Sequence, residues 1–244
     1  MDRQIMLDEG FLFGLGAFET IALVQGRPVW LERHLKRLNG TLSFLGLSER
    51  VTEEEVQRYL ESEKSRGGAL KIVVSEKNKL FLPRENPYRE SDYERGFTVD
   101  FAAGRRNEHS PLSCHKTLNY GDCILERRRA AAHGFDEAVF LNGRGEVCEG
   151  CASNVFFVRE GRIFTPERSC GLLPGIVREV LTERYDVAEI RIPAEDIGRY
   201  DECFLTNSLM GVMPAARLGN HLFERRERTE QIRQRVFEEV NAWF

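Results

Sequence analysis

Five leucines, Leu31, Leu35, Leu38, Leu42 and Leu45, recur at three- and four-residue steps directly after residues 17–25, AFETIALVQ, a run of β-branched and aromatic residues. The leucine spacing predicts one apolar stripe along a helix, and the preceding run predicts a strand that turns at Gly26-Arg27-Pro28. A helix with a single apolar stripe must cover an apolar surface, and the strand before it offers one. His34, Lys36 and Arg37 fall on the other sides of that helix.

The pattern continues along the chain. Thr52 with Glu55 three residues on is a capping-box signature for a second helix reaching about Lys64, with Gly67-Gly68 as its stop. Residues 69–75 and 97–103 read as strands, separated by a polar, proline-containing loop over 76–95. Residues 104–113, GRRNEHSPLS, have no periodicity and read as an interdomain linker. The expected organisation is thus a domain over 1–103, a linker over 104–113 and a domain over 114–244. In the latter, helices are expected over 121–133 and from Gly175 to Tyr185, and strands over 137–141, 146–148, 188–192 and 202–206. A hairpin joins 154–159 to 163–164 through Glu160-Gly161. A last helix presents Ile232, Val236, Phe237, Val240 and Phe244. The alternation predicts an α/β (α+β) fold of two domains.

Composition excludes several classes. A 41% hydrophobic fraction in 244 residues is enough for a substantial core. With 39 acidic against 35 basic residues, and no basic block interleaved with aromatics, nucleic acid is not an expected partner. The start, MDRQIMLDEGFLFG, lacks a basic n-region and an apolar core, and nowhere do about 18 apolar residues run together. The expectation is a cytoplasmic protein that meets no membrane. Its six cysteines are then reduced thiols.

Three segments carry chemistry. Lys116 in HKTLNY would ordinarily be a solvated cation; in a partly apolar pocket, with Leu112, Cys114 and Leu118 nearby, desolvation would free its amine. Glu149 in EVCEG is either an exposed strand carboxylate or a group that keeps a pyridine nitrogen protonated, with Gly150 permitting close backbone approach. Asn154 either caps a turn or orients a ring hydroxyl. LPGIVR is either a plain helix start or an anion site built from the Ile176 and Val177 amides. Together they offer a covalent amine, a ring-nitrogen partner and a phosphate cup, the handles required by pyridoxal 5′-phosphate. Rival motifs are weaker. Gly14-Leu15-Gly16 lacks a third glycine, no P-loop occurs, and the CxxC at Cys148 and Cys151 has no second pair, so no metal is expected.

In order along the chain, GFLFGLGAFET, LERHLKRL, HKTLNY, FDEAVFLNGRGEVCEGCASNVFFV, GLLPGIVRE and LTNSLMGVMPA resemble the class IV aminotransferases, the fold-type IV pyridoxal phosphate enzymes, over about residues 10–215. The resemblance implies a D-amino acid aminotransferase-like fold with the cofactor between the domains, a homodimer and a small-molecule substrate. Residue by residue, it implies that Lys116 bonds the cofactor, Glu149 meets the ring nitrogen and Arg37 binds phosphate. It gives the backbone phosphate cup to Ile176 and Val177, and puts Ser208 near the phosphate and Tyr120 beside the cofactor. Val177 stands where many members have threonine. Phe18 and Val74-Ser75-Glu76-Lys77-Asn78 lack the tyrosine and the arginine–histidine pair with which D-amino acid transaminases read a carboxylate. HKTLNY and LMGVMPA are most similar to the aminodeoxychorismate lyases, which implies release of 4-aminobenzoate and pyruvate in folate synthesis. A branched-chain or D-amino acid transaminase and a non-enzymatic binding module are the alternatives.

Overall fold

A computed structural model describes residues 4–62 and 68–240; the helix end expected at Lys64, the stop at Gly67 and the contribution of Phe244 lie outside the described residues. Two units are present, Met1–Pro87 with His115–Tyr120, and Tyr88–Cys114 with Gly121–Phe244.

In the first unit, α1 (Glu9–Phe13) precedes β1 (Gly16–Val24), which turns into β2 (Arg27–Pro28) through Gln25-Gly26 at φ 51° and 78°. Then come α2 (Leu31–Phe44), α3 (Glu53–Ser62), β3 (Gly68–Ser75) and β4 (Lys79–Arg84). The strands form an antiparallel sheet in the order β2-β1-β3-β4. Alternation along β1 sends Ala17, Glu19, Ile21 and Leu23 to one face. There Ala17, Ile21 and Leu23 join Leu35, Leu38 and Leu42 of α2 and Leu70 and Ile72 of β3 in one core. The capping box of α3 is present, with Thr52 N–H donating to Glu55 Oε2 (2.9 Å) and Glu55 N–H to Thr52 Oγ1 (3.3 Å).

The polar loop expected over 76–95 is instead β4 and α4 (Glu90–Arg95). Pro83 disguised the strand. A proline is tolerated there because β4 is an edge, with its outer amides outside the ladder.

The second unit holds a nine-stranded sheet of β5 (Phe97–Arg106), β6 (Glu137–Asn142), β7 (Val147–Gly150), β8 (Asn154–Arg159), β9 (Arg162–Pro166), β10 (Val187–Ile190), β11 (Glu202–Asn207), β12 (Gly211–Leu218) and β13 (His221–Leu222). Their order is β10-β9-β8-β11-β12-β5-β6-β7, with β13 on β12. Helix α5 (Gly121–Ala132) packs on β5 and β6, α6 (Ile176–Arg184) on β11, and α7 (Glu227–Val240) on β11 and β12. Val99, Val139, Val155, Phe157, Leu205 and Met213 form the heart of its core. The β8–β9 hairpin turns at Glu160-Gly161 with φ 51° and 75°, as a two-residue turn of this kind requires.

The expected domain boundary needs correction. β5 lies inside the large sheet, parallel to β6 and β12, so residues 97–103 belong to the second unit and the supposed linker begins as strand. A register shift between Phe101 and Arg105, around Gly104, erased the period-two signal. The units divide after Pro87, and His115–Tyr120 returns to the first. All six cysteines are free thiols. Among the described residues no helix is long and apolar enough to cross a membrane.

Candidate active site

Lys116 is anchored by its backbone. Phe18 N–H donates to the Lys116 carbonyl (3.1 Å) and Leu118 N–H to the Gly16 carbonyl (2.9 Å), which lays the segment along β1. Gly16 is needed for this approach, because a Cβ there would lie 2.7 Å from Leu118 Cδ1 and 2.6 Å from the Val74 carbonyl oxygen. The half-buried Lys116 amine sits 4.4 Å from the Phe18 ring centre and 5.3 Å from that of Tyr120. The two rings meet edge-on at 5.1 Å. The apolar surround expected from Leu112 and Cys114 is corrected: a 3-10 turn, Pro111–Cys114, leaves both exposed. Aromatic faces, which attract a cation as well as excluding water, take their place.

Arg37 and His34 do not face solvent. Glu19 of β1 points at α2 and accepts from Arg37 Nε (2.7 Å) and Nη2 (2.8 Å) and from His34 Nδ1 (2.7 Å). Glu19 and His34 are both fully buried. Burial alone would raise the Glu19 pKa, yet the charge of Arg37, then that of His34, outweighs it and holds the carboxyl far below its ordinary range. Burial pushes the His34 pKa down against the pull of Glu19, with Arg37 and Lys116 adding repulsion. His34 Nδ1–H donates to Glu19, and its buried Nε2 has no hydrogen-bond partner among the described residues. The sequence held a signal for this cluster: a glutamate at an inward position of an otherwise apolar alternation.

In the second unit, Glu149 on β7 is 4% exposed. Its Oε1 pairs with Arg106 Nη2 (2.8 Å), and its Oε2 accepts from Leu173 N–H (2.9 Å). Asn154 Nδ2 donates to the carbonyl of the same residue, Leu173 (2.9 Å). Glu149 and Asn154 therefore grip the loop that enters α6. Gly175 caps that helix without any side-chain bond, so the Ile176 and Val177 amides open its first turn. A Cβ on Gly175 would lie 2.1 Å from Asn154 Oδ1. The close approach at Gly150 is made by Ser153 Oγ, 2.1 Å from where a Cβ would stand.

Ser208 is half-buried in the β11–β12 turn, where Asn207 Oδ1 accepts from the Leu209 and Met210 amides, both at 2.9 Å. Two residues earlier, the hydroxyl of buried Thr206 has no hydrogen-bond partner among the described residues. Sequence reasoning missed Thr206, Arg106 and Glu19. Arg106 was hidden in the apparent linker; its guanidinium stacks 4.5 Å from the Phe140 ring centre.

The donor set fits pyridoxal phosphate. The uncapped α6 amides and the Thr206 hydroxyl are polar groups that an anion would satisfy, and Glu149 is a buried carboxylate of the kind a protonated ring nitrogen would need. A thiol centre is not formed. Cys148 Sγ donates to the Cys170 carbonyl (2.9 Å), burial pushes the Cys148 and Cys151 thiols up, and among the described residues no three His, Cys, Asp or Glu side chains gather as metal ligands.

The aminodeoxychorismate lyase of Bacillus subtilis is 27% identical, covering 86% of this chain and 80% of its own. A Thermotoga maritima protein named "Probable branched-chain-amino-acid aminotransferase" is 29% identical, covering 84% and 78%. The crystal structure of 4-amino-4-deoxychorismate lyase from Pseudomonas aeruginosa superposes with a TM-score of 0.86 at 24% identity, covering 99% of this chain and 97% of that one, which establishes the fold-type IV architecture. The family model for amino-transferase class IV matches residues 16–218, and the chain belongs to that family of pyridoxal phosphate enzymes.

Proposed function

We propose that this enzyme is a 4-amino-4-deoxychorismate lyase, converting its substrate to 4-aminobenzoate and pyruvate. The observation that carries the reading is the aromatic wall at the reactive amine: Phe18 and Tyr120 stand 4.4 and 5.3 Å from Lys116 Nζ. Such a wall suits a substrate whose amine is borne by a flat ring about to become aromatic. The Bacillus subtilis relative supports it.

Pyridoxal phosphate supplies an electron sink for charge developing at the substrate carbon that bears the amine. Lys116 would hold the cofactor through its amine, and the same amine is the base that would take the proton from that carbon. Glu149, with its charge balanced by Arg106, holds a proton on the ring nitrogen. The Ile176 and Val177 amides, with Arg37 and Ser208, bind the phosphate, Tyr120 flanks the ring, and Asn154 acts through the Leu173 loop. Arg37 does so with Nε and Nη2 already engaged by Glu19. A homodimer is the proposed assembly, in keeping with the exposed side chains of Phe11, Leu12 and Phe13 on α1, and the cytoplasm is its proposed location.

Borohydride reduction of the cofactor-loaded protein and peptide mapping should place the label on Lys116; a label on another lysine overturns the assignment. Incubation with aminodeoxychorismate should release 4-aminobenzoate and pyruvate. Amino-group transfer to 2-oxo acids with no lyase activity would instead establish the transaminase reading that the Thermotoga maritima relative favours.

A further inference from the structure

Glu137, the first residue of β6, is a buried acid with no part in the proposed reaction. It is 3% exposed, and among the described residues no lysine, arginine or histidine forms an ion pair with it. Four donors hold it instead. Its Oε1 accepts from the amides of Ala138 (3.0 Å) and Cys151 (3.2 Å), and its Oε2 from the amide of Ala152 (3.3 Å) and the hydroxyl of Ser153 (3.4 Å). Burial pushes its pKa up, against the Ala138 amide, the charge of Arg127 and the Ala152 amide. A buried acid without an ion-pair partner costs stability, so its value lies in what its bonds hold.

Three of the four donors belong to one turn, Cys151-Ala152-Ser153, which joins β7 to β8 and so stands between Glu149 and Asn154. The turn is tied down on both sides. Gly150 N–H donates to the Ser153 carbonyl (2.7 Å), Cys151 N–H is shared with the Ala138 carbonyl (2.9 Å), and a Cβ on Gly150 would lie 3.3 Å from Glu137 Cγ. Across the sheet the Ala152 carbonyl accepts from Asn207 Nδ2 (3.1 Å), the residue whose oxygen gathers the amides that follow Ser208. One chain of bonds therefore runs from Glu137 through the 151–153 turn to the β11–β12 turn.

We propose that Glu137 is a positioning residue for the cofactor: by holding the turn between Glu149 and Asn154 it sets the Glu149 carboxylate against the ring nitrogen and, through Ala152 and Asn207, the turn that carries Ser208. The inference rests on the proposed function, which gives Glu149 the ring nitrogen and Ser208 the phosphate. An amide cannot replace the acid. Glutamine keeps one accepting oxygen and turns its NH2 group against the Ala152 N–H, so that donor faces donor.

The test uses protein loaded with pyridoxal phosphate carrying nitrogen-15 in the ring, whose chemical shift reports the proton on that nitrogen, together with cofactor titration of the apo-protein. The parent should show the protonated shift and Glu149→Gln should lose it. Glu137→Gln should move the shift toward the unprotonated value with Glu149 intact, and weaken cofactor binding by about 10- to 100-fold, the range for leaving a buried donor unpaired. Ser153→Ala keeps the acid and its three amide bonds, and should fold as the parent does and weaken cofactor binding by about two- to tenfold. A parent whose ring nitrogen carries no proton, or keeps it in Glu149→Gln, defeats the Glu149 assignment and Glu137 with it. With that assignment intact, a folded Glu137→Gln that keeps the parent's shift and affinity defeats the Glu137 role alone; if Glu137→Gln does not fold, parent-like affinity in Ser153→Ala defeats it.

Discussion

Two buried carboxylates, each facing an arginine, stand in the two units and differ in how completely they are satisfied. Glu19 is enclosed: both oxygens are taken by Arg37, and His34 adds a third bond. Glu149 has one oxygen on Arg106 and the other on a backbone amide of the loop before α6. The first arrangement ties a helix to a sheet. The second ties a carboxylate to the segment that opens a helix start, where a ligand would be felt. Equal burial therefore does not mean equal purpose; the partners decide whether a charge holds the fold or acts on a ligand.

The largest expected effect is at the enclosed site. Glu19→Gln removes the charge that Glu19 sets against Arg37 and should lower stability by about 3 to 5 kcal/mol, measured by urea unfolding. Because the folded state holds the Glu19 carboxyl far below its ordinary range, its contribution is fully present above the unfolded pKa of about 4 and is lost progressively as pH falls from there toward the much lower folded-state pKa. The gap between parent and variant should accordingly narrow on acidification; a constant gap would show that packing, not charge, is what Glu19 supplies.

A smaller and different effect is expected at Glu149. Glu149→Gln should keep the cofactor bound and slow proton removal from substrate by roughly 10² to 10³, about 2 to 4 kcal/mol in the barrier. Its unfolding midpoint should move less than that of Glu19→Gln. Near-normal turnover would make Glu149 a second structural carboxylate and erase the contrast.

The smallest effects concern phosphate. In equilibrium titrations of apo-protein with pyridoxal phosphate, Arg37→Ala should bind more weakly than Val177→Ala, because Arg37 offers a guanidinium and Val177 only its amide. Val177→Thr should tighten binding by about 1 kcal/mol through an added hydroxyl. If Arg37→Ala loses stability but binds as tightly as the parent, Arg37 serves Glu19 alone.

Local signals were the legible ones. The leucine stripe of α2, the Thr52–Glu55 capping box and the Glu160-Gly161 turn depend on neighbours in sequence, and each stands where its residues predicted, save that α2 ends at Phe44 and Leu45 caps it outside the core. Lys116, Glu149 and Ile176-Val177 were singled out as candidates because residue type limits what each can do. What escaped was tertiary. Glu19 meets His34 and Arg37 from another element, Arg106 meets Glu149 from a bulged strand that read as linker, and β4 hid behind Pro83. Lys71 was not singled out within the strand read over 69–75; only the register of β1 with β3 brings it to Phe18.

The grip on Leu173 has a further consequence. One peptide segment, accepted from by Glu149 and donated to by Asn154, acts as a gauge that sets the interval between the carboxylate proposed for a ring nitrogen and the amides at the head of α6. A molecule matching that interval meets its second contact at high effective concentration once the first has formed. Pyridoxal and inorganic phosphate offered as separate molecules forgo this advantage, so together they should bind far less tightly than the single molecule that joins them.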